Sequence, residues 1–214
     1  MRFRLAIFDF DGTLADSFPW FLSIINSVAD EYGFRRIAAE QVDAVRKLGA
    51  REILEQCRIP LWKTVFIARR MRILMGQQFH AVAPFPGVPQ VLAELARQGV
   101  TLALVTSNSL ENVQRVLGPE TTTLIRHREC SVSVFGKSAR VRRVMRASGV
   151  SPSETILIGD EVRDAEAARQ AGVAFGAVSW GYNHVDALRA WDPHALFTRV
   201  EDIADAVMGS GSAS

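Results

Sequence analysis

Cysteine is scarce in this chain: its 214 residues include two, Cys57 and Cys130. Two cysteines cannot build a disulfide framework, and neither stands beside a histidine or a second cysteine. The sequence therefore predicts no disulfide-stapled fold and no cysteine-based metal site or nucleophile. Because a reducing compartment suits such a chain, we expect it to be cytoplasmic.

Long apolar runs and a strong charge of either sign are also absent. No apolar stretch approaches the ~20 residues that a membrane helix requires. Asp9 and Asp11 interrupt the apolar N-terminal segment, which therefore does not resemble a signal peptide. The formal net charge of +2 is too small to indicate nucleic acid or an acidic membrane surface as a partner. We expect neither, and the sequence does not indicate an oligomeric state.

The first part of the chain changes from a strand pattern to a helical one. Phe3–Phe8 is a short run that is apolar and aromatic apart from Arg4, which predicts a buried strand. From about Asp16 to Gln78 the apolar residues recur at helical spacing, with breaks near Gly33, Gly49 and Pro60. This pattern predicts a block of about four helices.

Helices and strands alternate after the turn sequence Pro84–Gly87. The predicted strands are Thr101–Val105, Thr155–Ile158 and Val173–Val178. The predicted helices are Val88–Gln98, Leu110–Leu117, Ala139–Ser148 and Val162–Ala171. The stretch Pro119–Phe135 is ambiguous and could contain a short strand.

Such alternation is typical of a parallel sheet with helices on both faces. We predict an α/β fold: a Rossmann-like parallel-sheet core formed by residues 1–15 and 83–208, with a helical domain of residues 16–82 inserted after the first strand. The small polar tail, residues 209–214, is expected to be disordered.

Polar residues follow the predicted strands, at the edge where open parallel sheets bind ligands. They are Asp9 and Asp11 with Gly12-Thr13, then Thr106-Ser107-Asn108, then Lys137 before a helix, and finally Asp160-Glu161 with Asp164. Each group alone is equally well explained as a turn or a helix cap. Together, however, the carboxylates would repel one another by about 4 kcal/mol per pair at ~4 Å and an effective dielectric constant of ~20. A cation such as Mg²⁺, which prefers oxygen ligands, would relieve this repulsion.

The spacing Asp9-x-Asp11 suits phosphoryl transfer. Residues two apart at a strand exit can point the same way. One carboxylate can then attack phosphorus while the other handles the proton of the leaving group. Mg²⁺, Lys137, the Thr106 hydroxyl and backbone N–H groups could neutralise the phosphoryl oxygens.

These motifs resemble the haloacid dehalogenase superfamily, whose four motifs occur here in the same order. They are DFDGT at Asp9–Thr13, VTSN at Val105–Asn108, Lys137, and GDEVRD at Gly159–Asp164. The helical insertion is similar to the small α-helical cap of the phosphoglycolate-phosphatase-like branch, and so is the later sequence Ser179–Tyr182.

The resemblance implies roles for the two strand-end aspartates and for the metal site. Asp9 would be the nucleophile and a Mg²⁺ ligand. Asp11 would be the general acid/base and would bind Mg²⁺ through its backbone carbonyl. Asp160 would complete the metal site, with Glu161 or Asp164 supporting it.

The resemblance also implies how the phosphoryl group is held. Thr106, with the backbone at Ser107 and the neighbouring Asn108, would bind it, and Thr106 is favoured over Ser107 as the hydroxyl donor. Lys137 would orient Asp9 and offset phosphate charge. The implied function is a Mg²⁺-dependent phosphatase that acts on a small phosphorylated metabolite through an aspartyl-phosphate.

Other functions remain open at this point. Dehalogenases of the superfamily need no metal and typically lack the second aspartate, so Asp11 and Asp160 favour phosphate chemistry. A phosphomutase shares the same core and differs in cap contacts. A phosphoacceptor signalling domain or a non-catalytic binding protein is a further alternative, although the motif order speaks against the former.

Basic residues within the predicted cap could set substrate specificity. Arg46, Lys47 and Arg51 flank Gly49. We hypothesise that Arg46 and Arg51 contact a second anionic group of the substrate. A solvated, charged helix face explains the same residues equally well.

Overall fold

The computed structural model describes residues 3–131 and 136–209. Within these residues, six strands form one sheet in the order β3-β2-β1-β4-β5-β6. Every neighbouring pair of strands is parallel. The strands are β1 (Leu5–Phe8), β2 (Thr101–Val105), β3 (Ile125–Glu129), β4 (Thr155–Gly159), β5 (Ala174–Val178) and β6 (Ala195–Phe197). The predicted parallel α/β fold is confirmed.

Strand β1 is apolar throughout because helices cover both faces of the sheet. Ala6 and Phe8 belong to the buried cluster on one face, and Leu5 and Ile7 belong to the cluster on the other. Phe8 pairs in register with a residue near the end of each neighbouring strand, β2 and β4. The segments that follow these three strands therefore leave the sheet at the same edge.

Six helices pack around the sheet, and four more form the inserted segment. Those of the sheet domain are α5 (Val88–Arg97), α6 (Leu110–Leu124), α7 (Lys137–Ser148), α8 (Val162–Ala171), α9 (Val185–Arg189) and α10 (Asp202–Met208). Those of the insertion are α1 (Phe18–Tyr32), α2 (Val42–Val45), α3 (Ala50–Gln56) and α4 (Thr64–Gln77). These counts refer to the two described ranges. We call residues 18–81 the cap.

The cap has a buried cluster of its own, separate from the two that sandwich the sheet. Its buried members are Ile25, Val28, Ala29, Phe34 and Cys57. The cap is therefore stabilised internally as well as by its contacts with the sheet domain. The boundaries 16–82 and 1–15/83–208 stay predictions.

The two connections between the sheet domain and the cap run side by side. The N–H of Asp16 donates to the carbonyl of Ala83 over 2.8 Å. Next to this bond, Ala15 and Pro84 form an antiparallel bridge. The chain thus enters and leaves the cap through one narrow two-stranded joint.

Several elements differ from the sequence-based expectation. The ambiguous stretch contains β3, while residues 132–135 and 210–214, which include most of the expected disordered tail, lie outside the described residues. Helix α6 extends beyond its predicted end at Leu117, although Gly118 has a φ of 78° and interrupts its regular geometry. The short elements β6, α9 and α10 were not predicted. Among the described helices, none is long and apolar enough to cross a membrane.

Candidate active site

The polar segments picked out in the sequence meet at the carboxyl edge of the sheet. Asp9 follows β1, Thr106 follows β2 and Asp160 follows β4, while Lys137 is the first residue of α7. The N–H of Asp9 continues the sheet by donating to the carbonyl of Ile158. All four polar side chains are buried. Charged groups in such a position require partners.

Lys137 is the central cation of this cluster. Its Nζ lies 2.6 Å from Oδ2 of Asp9 and also contacts Oδ1 of Asp164. Burial by itself would lower the pKa of Lys137, but the carboxylates of Asp164 and Asp9 outweigh burial and raise the pKa above its ordinary value. Lys137 is therefore a permanent positive charge beside Asp9.

Asp160 is fixed by two hydrogen bonds and by two close glycines. Its Oδ1 accepts from Oγ1 of Thr13 over 2.6 Å, and its Oδ2 accepts from the backbone N–H of Tyr182 over 2.8 Å. A Cβ atom at Gly12 or at Gly181 would lie 2.2 Å from an atom of the Asp160 side chain. Gly12 also has a φ of 73°, which a side chain would strain. Only glycine at both positions leaves room for this carboxylate.

Asp11 is held by Asn108. The Nδ2 group of Asn108 donates to Oδ1 and Oδ2 of Asp11 over 3.2 and 3.0 Å. The Oδ1 atom of Asn108 accepts from Nδ2 of Asn112, which orients the amide. Burial, and next the charge of Asp9, raise the pKa of Asp11 to about 6, against the opposing effect of Asn108. A carboxyl group with such a pKa can hold or release a proton near neutral pH.

Thr106 and Ser107 follow β2, the strand that lies next to β1 in the sheet. Thr106 is buried, and its Oγ1 accepts the backbone N–H of Asn108 over 2.9 Å. Ser107 lines the adjoining cavity, and its carbonyl accepts a hydrogen bond from Nη1 of Arg72 over 3.1 Å. The preference for Thr106 as the hydroxyl that contacts phosphate stays a prediction.

Arg163 belongs to the cluster but was not predicted from the sequence. Its Nη2 lies 3.8 Å from Oδ2 of Asp9 and is paired with Glu161. Burial raises the pKa of Glu161 to about 7, although Arg163 acts in the opposite direction. The signal was present, because Arg163 lies within the GDEVRD motif. Arg72, which reaches Ser107 from the cap, carried no such signal.

Asp164 supports the centre of the site. Besides contacting Lys137, it accepts the backbone N–H of Glu161 through Oδ2 over 3.1 Å. A Cβ atom added at Gly159 would lie 2.3 Å from this carboxylate. Asp164 thus ties the end of β4 and the start of α8 to the lysine.

The charges suit a divalent cation. In the described part of the chain, five carboxyl groups and two contacting cations make up the cluster: Asp9, Asp11, Asp160, Glu161 and Asp164 with Lys137 and Arg163. One oxygen each of Asp9, Asp160 and Asp164 lies within 4.8 Å of the others. Burial, followed by the neighbouring Glu161 carboxylate, raises the pKa of Asp160 well above its usual range. A hard cation bound by oxygen would offset this surplus of negative charge.

A cavity of about 300 Å³ opens from this site toward the cap and is lined by Asp11, Arg163 and Arg46, among others. The guanidinium of Arg46, however, donates to the carbonyls of Gly181 and Tyr182 over 2.8 and 2.9 Å. Arg46 therefore joins the cap to the loop that holds Asp160.

Arg51 is exposed and is not among the described residues that line this cavity. Arg46, in contrast, does line it. The proposed substrate contacts of both arginines stay predictions.

Comparison with known proteins identifies the family. The family model described as haloacid dehalogenase-like hydrolase matches residues 6–178. A phosphoglycolate phosphatase from Synechococcus elongatus is 31% identical over 202 residues, covering 94% of this chain and 95% of the relative. An N-acetylmuramic acid 6-phosphate phosphatase from Pseudomonas aeruginosa is 28% identical, with 86% and 85% covered. The chain belongs to the haloacid dehalogenase-like hydrolase family.

Solved structures share the fold. A predicted phosphatase from Clostridium acetobutylicum superposes with a TM-score of 0.80 at 16% identity, covering 98% of this chain and all of that one. CbbY from Rhodobacter sphaeroides, in complex with phosphate, gives 0.71 at 19% identity, with 94% and 96% covered. The predicted membership of the phosphoglycolate-phosphatase-like branch is confirmed by the named relatives, which also support the predicted class of phosphoric monoester hydrolase.

Proposed function

We propose that this protein is a Mg²⁺-dependent phosphatase that hydrolyses a small-molecule phosphate monoester through an aspartyl-phosphate on Asp9. The observation that carries the proposal is the position of Asp9. Its carboxylate lies at a strand end beside a buried lysine, with a second carboxyl group of raised pKa two residues further on. These are the parts that a nucleophile, a charge-neutralising cation and a proton donor require.

In the first step, an oxygen of Asp9 attacks phosphorus and forms a P–O bond while the bond from phosphorus to the leaving oxygen breaks. Asp11 gives its proton to the leaving alcohol. In the second step, a water molecule attacks the aspartyl-phosphate and transfers a proton to Asp11. Inorganic phosphate leaves, and both carboxyl groups return to their initial states. One acid/base group thus serves both halves of the reaction.

The other residues hold the phosphoryl group and neutralise its charge. Lys137 places an ammonium group beside Asp9, and the Thr106 hydroxyl and the backbone at Ser107 provide hydrogen bonds. Asp9, Asp160 and the backbone carbonyl of Asp11 would hold Mg²⁺. The ion supplies electrostatic stabilisation of the phosphoryl oxygens when it is bound.

The relatives support a phosphatase activity but do not identify which phosphate ester is the substrate. Those named above are described as acting on phosphoglycolate and on N-acetylmuramic acid 6-phosphate. We propose that the substrate of this chain is likewise a small phosphorylated metabolite. A phosphomutase would use the same chemistry but return the phosphoryl group to its substrate.

The test measures inorganic phosphate released from a panel of phosphate monoesters, with Mg²⁺ and with EDTA. We expect release with Mg²⁺ and its loss in EDTA. Acid quenching during turnover should trap phosphate on the peptide that contains Asp9. Formation of a phosphate-ester isomer without phosphate release would indicate a mutase, and release that persists without a trapped peptide would contradict the covalent scheme.

A further inference from the structure

The wall of the cavity beside Asp11 is apolar on its cap side. The side chains there come from α1, α3, α4 and the turn between α3 and α4: Phe21, Ile53, Leu54, Ile59, Ile67 and Met71. Asp11, Ser107 and Asn108 line the same cavity, but most of the residues that line it are apolar. Whatever is attached to the phosphate would therefore extend into an apolar environment.

The basic residues of the cavity already have protein partners. Within the described chain, the arginines that line it are Arg46, Arg72 and Arg163. Arg46 bonds two backbone carbonyls, Arg72 bonds the carbonyl of Ser107, and Arg163 pairs with a carboxylate. A second anionic group on the substrate would have to compete for these donors, and its burial against hydrocarbon would be unfavourable.

We propose that the preferred substrate is a phosphate monoester whose leaving group is predominantly apolar, an alkyl or aryl alcohol rather than a carboxylate-bearing one. This inference rests on the proposed function and narrows its substrate class. A cavity of about 300 Å³ accommodates a chain of several carbons or an aromatic ring. Each methylene that enters it should raise kcat/KM about fourfold, the ratio that corresponds to the transfer of one buried methylene from water.

The test compares methyl, butyl and hexyl phosphate with phosphoglycolate, by phosphate release in the presence of Mg²⁺. We expect kcat/KM to rise from methyl to hexyl phosphate. The value for butyl phosphate should already exceed that for phosphoglycolate. A flat series, or phosphoglycolate as the best of the four, overturns the inference.

Binding of methyl-, butyl- and hexylphosphonate, measured by calorimetry, separates this inference from the proposed function. Affinity that rises with chain length supports the apolar site even if no ester is hydrolysed, a result that would defeat the phosphatase proposal alone. Affinity independent of chain length overturns the apolar site whether or not esters are hydrolysed.

Two alanine variants locate the effect. Ala68 lies on α4 and lines the cavity, whereas Ala44, on α2, is exposed and is not among the lining residues described. Ala68→Leu should lower the ratio of kcat/KM for hexyl over methyl phosphate at least about tenfold, because the added methyl groups occupy the space the longer chain needs. Ala44→Leu should leave that ratio unchanged. An unchanged ratio in Ala68→Leu would place the alkyl chain elsewhere.

Discussion

The ammonium nitrogen of Lys137 lies 2.6 Å from Oδ2 of Asp9, and both side chains are almost completely buried. A buried ion pair of this kind is costly to form and more costly to break, because removal of one partner leaves the other charged and unpaired. Here the lysine serves two carboxylates, since Asp164 contacts it as well. The stability of the site and its proposed chemistry thus depend on the same side chain.

Loss of the lysine should cost both stability and activity. Lys137→Ala removes the ammonium group that Asp9 and Asp164 share and leaves Asp9 with the more distant guanidinium of Arg163, 3.8 Å away. We expect the free energy of unfolding to fall by about 3–5 kcal/mol. Urea denaturation measures this, with Lys47→Ala, at an exposed position, as the matched control. Equal stability of the two variants would show that the carboxylates are balanced by other groups.

Loss of the nucleophile should abolish turnover while the fold remains. Asp9→Asn keeps the size of the side chain but removes the attacking oxygen's charge, so kcat should fall at least about 10³-fold. Asp16→Asn, at a nearby exposed aspartate, should have little effect. Phosphate release quantifies both, and circular dichroism checks the fold. Substantial turnover by Asp9→Asn protein would refute the aspartyl-phosphate route.

Crowding of Asp160 should weaken metal binding. A Cβ atom in Gly181→Ala would lie 2.2 Å from the Asp160 side chain, which must then move. We expect Mg²⁺ affinity, measured by calorimetry, to fall about 10–100-fold. In the control Gly49→Ala, the new Cβ meets its nearest neighbour at an ordinary 3.5 Å. Unchanged affinity in Gly181→Ala would exclude Asp160 as a ligand.

The metal-free protein should become less stable as pH rises. The pKa of Asp11 is raised to about 6 and that of Glu161 to about 7, whereas unfolded carboxyl groups titrate near ~4. Between these values the folded state binds more protons than the unfolded state. The contribution of these two groups to the free energy of unfolding is therefore greatest below about pH 4, and it is lost as the pH rises toward 7.

Thermal unfolding in EDTA at several pH values checks this. The Tm of the metal-free protein should decline from pH 5 to pH 8. Addition of Mg²⁺ should raise the Tm more at pH 8 than at pH 5. A metal-free Tm that rises over this range would contradict the assignment.

Arg46→Ala distinguishes docking of the cap from substrate recognition. If Arg46 mainly holds the carbonyls of Gly181 and Tyr182, its loss should lower kcat/KM by a similar factor, about tenfold, for methyl phosphate and phosphoglycolate. If it binds a second anion, the loss should be confined to phosphoglycolate. We expect the first result. Arg51→Ala, assayed with the same two esters, tests whether that exposed residue contacts the substrate at all.

Sequence reasoning located those parts of the site that depend on strand ends. Asp9, Thr106 and Asp160 follow buried strands directly, so the parallel sheet brings them together. It could not locate Arg72, whose contact with Ser107 depends on how the cap packs against the sheet domain, which no local pattern records. Tyr182 was noted only for a family resemblance, and its hydrogen bond to Asp160 could not be predicted.

Sequence patterns also failed to predict short or polar strands clearly. Strand β6 spans only Ala195–Phe197, too few residues for an alternating pattern to stand out. Strand β3 reads IRHRE, with exposed arginines at the alternate positions 126 and 128, as suits the edge of the sheet. Its polarity hid it among the neighbouring turn residues.

The two-stranded joint, in which Ala15 pairs with Pro84 and Asp16 with Ala83, limits how the cap can move. Because both connections run through this joint, we expect the cap to rotate about one hinge axis rather than to slide along the sheet domain. Spin labels at exposed Ala44 and Ala147, in a Cys130→Ser background, should therefore report one coupled change of distance when product leaves. A broad spread of distances would show that the attachment does not guide the motion.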